Sequence, residues 1–177
     1  MNALTLAAQV PEIAPVLPGR RLYPRAGAQR PAPAEPPPVP ALGVLEAERL
    51  TMNRVVLSVP GPTDVVLYAL TGPGREVHDD LAAVRGYAAA HRLTVHGPPI
   101  VDALDATDVR TGGDDPLLRR GYARALRMLA DPASPVRGVI AVSRTAITLA
   151  DRLYQDQLTW YAARRAGLWL VRGETQI

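Results

Sequence analysis

Three places in this 177-residue sequence hold residue types that can do chemistry. Residues 71–74, Thr-Gly-Pro-Gly, lie between an apolar run and a helical stretch, where glycines let backbone N–H groups approach an anion at a helix start. Pro73 removes one donor, and neither the lysine of a P-loop nor the three-glycine spacing of a dinucleotide fingerprint is present, so a plain turn is the simpler reading. Residues 143–148, Ser-Arg-Thr-Ala-Ile-Thr, follow a second apolar run. Thr71, Gly72, Gly74, Ser143 and Arg144 are therefore the candidates for a phosphate loop, in a small phosphate- or nucleotide-binding domain or enzyme. The third place is a helix crowded by Arg119, Arg120, Arg124 and Arg127. Arg120, Arg124 and Arg127 are candidates for nucleic-acid contact, against the plain reading of a solvated face with Asp114 and Asp115 upstream.

Other chemistry has less to build on. The sequence has no cysteine, which excludes disulfides, thiolate metal sites and cysteine nucleophiles. Asp102, Asp105, Asp108, Asp114 and Asp115 offer hard oxygen ligands, but their spacing matches no calcium loop, and residues 102–115 read as a solvent-facing acidic loop. His78, His91 and His96 stand at no ligand spacing, and Ser58, Ser134 and Ser143 have no histidine beside them. No metal, no cofactor and no catalytic residue are expected.

The elements that must position these residues follow from periodicity. Residues 43–53 suggest a short helix through Leu45, Ala47 and Leu50, and residues 54–59 (Arg-Val-Val-Leu-Ser-Val) read as a strand. After Pro60-Gly61-Pro62, residues 64–70 are a continuous apolar run, the pattern of a strand buried on both faces. Leu81, Val84 and Ala88 recur at helical spacing up to Arg92. Residues 93–96 give a second strand, interrupted by Gly97-Pro98-Pro99 before Ile100 and Val101. From Pro116 a helix carries a stripe of Leu118, Tyr122, Leu126 and Leu129. Residues 136–143 form a third buried strand. A long helix runs from about Thr148 through Leu153, Tyr154, Leu158 and Tyr161 to a stop at Gly167, and residues 168–171 form the last strand. Strands alternating with helices predict an α/β fold, with a mostly parallel four- to five-stranded sheet and helices on both faces. Ligands in such sheets bind beyond the carboxyl ends of the strands.

Ten of the 18 prolines fall between Pro11 and Pro40, which removes donors and imposes extended geometry. Residues 1–42 are expected to be a disordered proline-rich arm, and residues 43–177 one α/β domain. Every basic side chain is arginine, as in a chain from a GC-rich, bacterial-type genome. The net charge of +3 divides into +1 over residues 1–50 (five Arg, four acidic) and +2 over residues 51–177 (15 Arg, 13 acidic). Neither part is basic enough to demand nucleic acid. The N-terminus has no basic start or long apolar run, and no stretch reaches the length of a membrane span, so a cytoplasmic protein is expected.

Several phrases resemble the catalytic domain of serine recombinases, the resolvase and invertase family, over residues 65–175. Tyr68-Ala69-Leu70-Thr71-Gly72 is similar to that family's opening Tyr-Ala-Arg-Val-Ser, and Asp115-Pro116-Leu117-Leu118 to its Arg-Pro-x-Leu. Residues 139–148 resemble its strand leading into Asp-Arg-Leu-x-Arg, and Ala-Gly-Leu-Trp-Leu-Val its Gly-Val strand. The resemblance implies a resolvase-like three-layer sandwich. In that family a serine attacks a DNA phosphate while arginines stabilise the charge. Here Gly72 stands at the serine, Leu70 at the first arginine and Asp115 at the arginine before proline, so that Arg144 alone offers a guanidinium near its expected place. Strand cleavage by the neighbouring Thr71 is not expected without that clamp. The 177 residues stop short of the family's dimerisation helix and DNA-binding region, which lowers the expectation of DNA binding. The resemblance points to a catalytically inactive module with a protein partner or self-association, possible contact with DNA, and none with a membrane.

Overall fold

The computed structural model describes residues 38–72, 77–104 and 115–174. The element order is α1 (Leu42–Leu57), β1 (Asp64–Thr71), α2 (Val77–Ala90), β2 (Thr94–Val95), β3 (Ile100–Ala103), a 3-10 turn (Pro116–Leu118), α3 (Arg120–Ala130), β4 (Val136–Ala141), α4 (Arg144–Ile147), α5 (Asp151–Ala163) and β5 (Gly167–Leu170). The expected proline-rich arm lies outside the described residues, apart from residues 38–41 and the first residue of α1.

All strand pairs are parallel, so the α/β expectation with a five-stranded sheet is met. β1 is central, with β4 on one side and β5 beyond it. On its other side lies an interrupted edge: β2 pairs with the start of β1 (Val65 with Val95) and β3 with its end (Tyr68 with Ile100). Gly97, at φ +70°, and two prolines without N–H donors separate the two short strands.

Alternation along β1 sorts its side chains between two cores. Val66, Tyr68 and Leu70 join residues of α1, α3 and α5 on one face, while Val65 and Leu67 meet Val84 and Ala88 of α2 on the other. Each large apolar side chain buried in this way stabilises the fold by roughly 1.5–3 kcal/mol. Among the described residues, no helix is long and apolar enough to cross a membrane.

Four local expectations are corrected. Residues 54–57 are not strand but the last turn of α1. Leu45, Arg49, Met52, Asn53 and Val56 are buried at helical spacing, so packing overrides the β-branched preference of Val55 and Val56. The helix expected from Pro116 is split, because Arg119 is extended (φ −83°, ψ 124°) between the 3-10 turn and α3. Leu118 is consequently exposed, and Tyr122, Ala125 and Leu126 form the buried face. The helix expected from about Thr148 is α5 and starts at Asp151, because Thr148 is extended, and a separate short helix, α4, precedes it. Finally, Gly167 does not end α5. The chain leaves that helix through Arg165 at φ +51°, with the Ala166 N–H donating to Tyr161 O (3.0 Å). Gly167 is instead the first residue of β5, where the Trp169 ring crosses it, and a Cβ there would lie 2.3 Å from that ring.

Candidate functional site

The carboxyl ends of β1, β4 and β5 set the candidates in place. Thr71 ends β1 and Gly72 follows it, with open space where a Cβ would stand. Gly74 lies outside the described residues. Leu70 faces the core beneath them. Beyond β4 the pairing with the β5 side continues, since Val171 N–H donates to Ala141 O (3.1 Å) and Arg172 N–H to Val142 O (2.8 Å). Gly173, at φ +72°, then turns the chain back, and the Glu174 side chain enters the interior.

Glu174 is held by two elements that are distant in sequence. Arg49 of α1 donates from Nε and Nη2 to its two carboxylate oxygens, the Nη2–Oε2 distance being 3.1 Å. The Tyr154 hydroxyl of α5 donates to Oε1 at 2.8 Å. A bidentate guanidinium–carboxylate pair offsets much of the cost of burying both charges. Burial alone would lower the Arg49 pKa, and the bonded Glu174 carboxylate reverses this, so it lies above its ordinary value. Burial raises the Tyr154 pKa, and the adjacent Glu174 charge adds to that.

Arg144, the candidate guanidinium, belongs to the same neighbourhood. Its Nη1 bonds Asp151 Oδ1, its Nη2 donates to Leu149 O (3.1 Å), and its guanidinium lies over the Tyr154 ring, 5.7 Å from the centroid. Its Nε has no hydrogen-bond partner among the described residues. Ser143 is buried, and its hydroxyl pairs with Thr145 Oγ1 at 2.7 Å. Arg119 is not on the exposed face of α3. It is buried and donates from Nη1 to Ala146 O (3.0 Å) and Ile147 O (2.8 Å), closing the carbonyl end of α4.

The acidic-loop expectation is corrected at Asp102, which sits in β3 and caps α3. Its Oδ1 accepts from Gly121 N and its Oδ2 from Tyr122 N, both at 2.8 Å, and the Tyr68 hydroxyl donates to Oδ2 at 3.2 Å. Asp115 accepts from Leu117 N (2.9 Å) at the start of the 3-10 turn, whereas Asp105, Asp108 and Asp114 lie outside the described residues. Among the described residues, no three His, Asp or Glu side chains gather as a metal site. His91 stacks on Tyr87 with ring centroids 4.1 Å apart. Arg120, Arg124 and Arg127 lie on the exposed side of α3, opposite its buried residues.

No protein-family model matches the chain, and no curated protein matches it. Among solved structures, the N-terminal catalytic domain of TP901-1 integrase superposes with a TM-score of 0.50 at 14% identity, over 62% of this chain and 77% of that one. The fold is resolvase-like. The C-terminal catalytic domain of IS1535 TnpA, an IS607-like serine recombinase, matches at a TM-score of 0.40 and 18% identity, over 63% of this chain and 72% of that one. At such identities the likeness is one of fold alone.

Within this resolvase-like domain the sequence located Ser143 and Arg144 and the strand-end segment 172–175, but singled out none of Arg49, Tyr154 and Glu174. Arg49 and Glu174 are 125 residues apart. One signal was available: Arg49 stands four residues after Leu45 and three before Met52, a charged residue on an otherwise apolar stripe.

Proposed function

We propose that this chain is a catalytically inactive, serine-recombinase-like module that acts through contacts with proteins, or as an accessory in a DNA-associated assembly. The observation that carries the reading is how three of the guanidiniums near the strand ends are used. Arg49 is bonded to Glu174, Arg144 to Asp151 and a backbone carbonyl, and Arg119 to two carbonyls of α4. A phosphoryl-transfer site needs such donors aimed at an incoming phosphate, and these are aimed at the protein. Gly72 at the end of β1 supplies no hydroxyl for attack.

The test is incubation of the full chain with supercoiled plasmid, alongside gel-shift titration with duplex DNA at two salt concentrations. No nicking is expected, and a nicked product overturns the reading. Salt-sensitive binding without nicking supports the DNA-associated form, with Arg120, Arg124 and Arg127 as the contacts. Absence of both assigns the module to protein partners.

A further inference from the structure

Because the strand pairs are parallel, β1, β2, β4 and β5 all start at one end of the sheet, opposite the candidate site. The helix before each strand finishes there: α1 before β1, α2 before β2, α3 before β4 and α5 before β5. For α1 the direction is also marked by its bonds, since Arg49 meets Glu174 beyond β5 whereas Asn53 meets Leu168 near its start. This amino end collects arginines. Arg54 and Arg127 lie in the last turns of α1 and α3, Arg92, Arg164 and Arg165 follow α2 and α5, and Arg137 is the second residue of β4. All six are exposed, and among the described residues none makes an ion pair. The nearby acids are Asp64, which starts β1, and Asp131, whose Oδ1 accepts from Ala133 N–H (2.9 Å). At the carboxyl ends the arginines are matched instead: Arg49 to Glu174, Arg144 to Asp151 and Arg172 to Asp80.

Two of the six hold a backbone conformation that arginine seldom adopts. Arg92 (φ +57°) and Arg165 (φ +51°) are the non-glycine residues at positive φ among the described residues. They occupy equivalent places, because the N–H of the next residue donates five residues back in each case, Leu93 to Ala88 O (2.9 Å) and Ala166 to Tyr161 O (3.0 Å). Glycine takes such a position without strain. The helix dipole favours a cation anywhere in the last turn, so it accounts for positive charge near a helix end and not for arginine at the strained residue itself. What the two places share is where they put a guanidinium: before β2 and before β5, at opposite margins of the sheet. With strands about 4.8 Å apart, the row from Arg92 past Arg137 to Arg165 spans about 14 Å.

We propose that this amino end of the sheet binds the phosphate backbone of duplex DNA, with Arg120 and Arg124 of α3 leading into it through Arg127. A linear row of unpaired cations fits a linear polyanion, DNA carries a charge about every 1.7 Å of its axis, and the guanidinium fork takes phosphate oxygens in pairs. The proposal deepens the DNA-associated form of the reading above and rests on it.

Arg92→Gly combined with Arg165→Gly removes two cations while relieving the backbone. In gel-shift titration of the full chain with duplex DNA, this variant is expected to bind at least about tenfold more weakly and to lower the slope of log affinity against log salt by about two. Its urea unfolding stays at or above that of the parent. Arg152→Gln combined with Arg172→Gln takes the same charge from the carboxyl end, where these side chains face Asp156 and Asp80, and leaves DNA affinity unchanged. Equal losses in the two double variants, an unchanged salt slope in the glycine variant, or binding to polyglutamate as tight as to DNA overturns the proposal and leaves the interaction-module reading standing. A parent chain that binds no DNA at low salt overturns the proposal and the DNA-associated form together. Plasmid nicking by a parent whose glycine variant loses affinity overturns the inactive reading and leaves this surface standing.

Discussion

The strand ends and the outer face of α1 use the same kinds of residue in opposite ways. At the strand ends Arg49, Glu174, Arg144 and Arg119 are buried, and their polar atoms are largely spent on one another and on backbone carbonyls. On α1, Glu48 and Arg54 have no ion-pair partner among the described residues and lie near the exposed Val44 and Val55. Polar groups closed inside a domain contribute to its folding, whereas surface charges contribute little to it.

The largest expected effect tests the closed region as a whole. Burial raises the Tyr68, Tyr122, Tyr154 and Tyr161 hydroxyls above their ordinary value of 10.0. The folded chain therefore holds these protons more tightly than the unfolded one. Their contribution is fully present below pH 10.0 and is lost as pH rises above it, by about 1.4 kcal/mol per tyrosine per pH unit. Circular dichroism and the tyrosinate absorbance of four of the six tyrosines should change in one transition. Tyrosinate absorbance of more than two tyrosines in a still folded chain contradicts the closure.

Next in size is Glu174→Ala, which leaves the buried Arg49 guanidinium without its anion and is expected to cost about 3–5 kcal/mol in urea unfolding. Arg119→Leu leaves the Ala146 and Ile147 carbonyls short of a donor and is expected to cost about 1–3 kcal/mol in the same measurement. The smallest effect on stability belongs to the open region. Val55→Asp, at a half-exposed position, is expected to stay within about 0.5 kcal/mol of the parent in urea unfolding. A large loss of stability there removes the contrast between the two regions.

Much of the architecture was legible because it rests on local repetition. The buried run of β1, the helical spacing of Leu81, Val84 and Ala88, and the alternation of strand and helix all survive in the structure. Boundaries were less legible where tertiary contacts outweigh propensity. The valines of residues 54–57 are helical because Val56 is buried beneath the sheet, and Gly167 was read as a helix stop because nothing nearby in sequence announces the Trp169 ring that requires it. Of the candidate site, Ser143 and Arg144 were found by their place after a strand. Arg49, Tyr154 and Glu174 carry no shared local signal.

By itself the sequence determined the fold class and the absence of thiol chemistry. These depend only on composition and on periods of two and 3.6 residues. Only the tertiary structure decided which charges are spent and which are open. Pairing between Arg49 and Glu174 requires α1, β5 and α5 to converge across 125 residues of chain. Burial, not residue type, sets the worth of each charge.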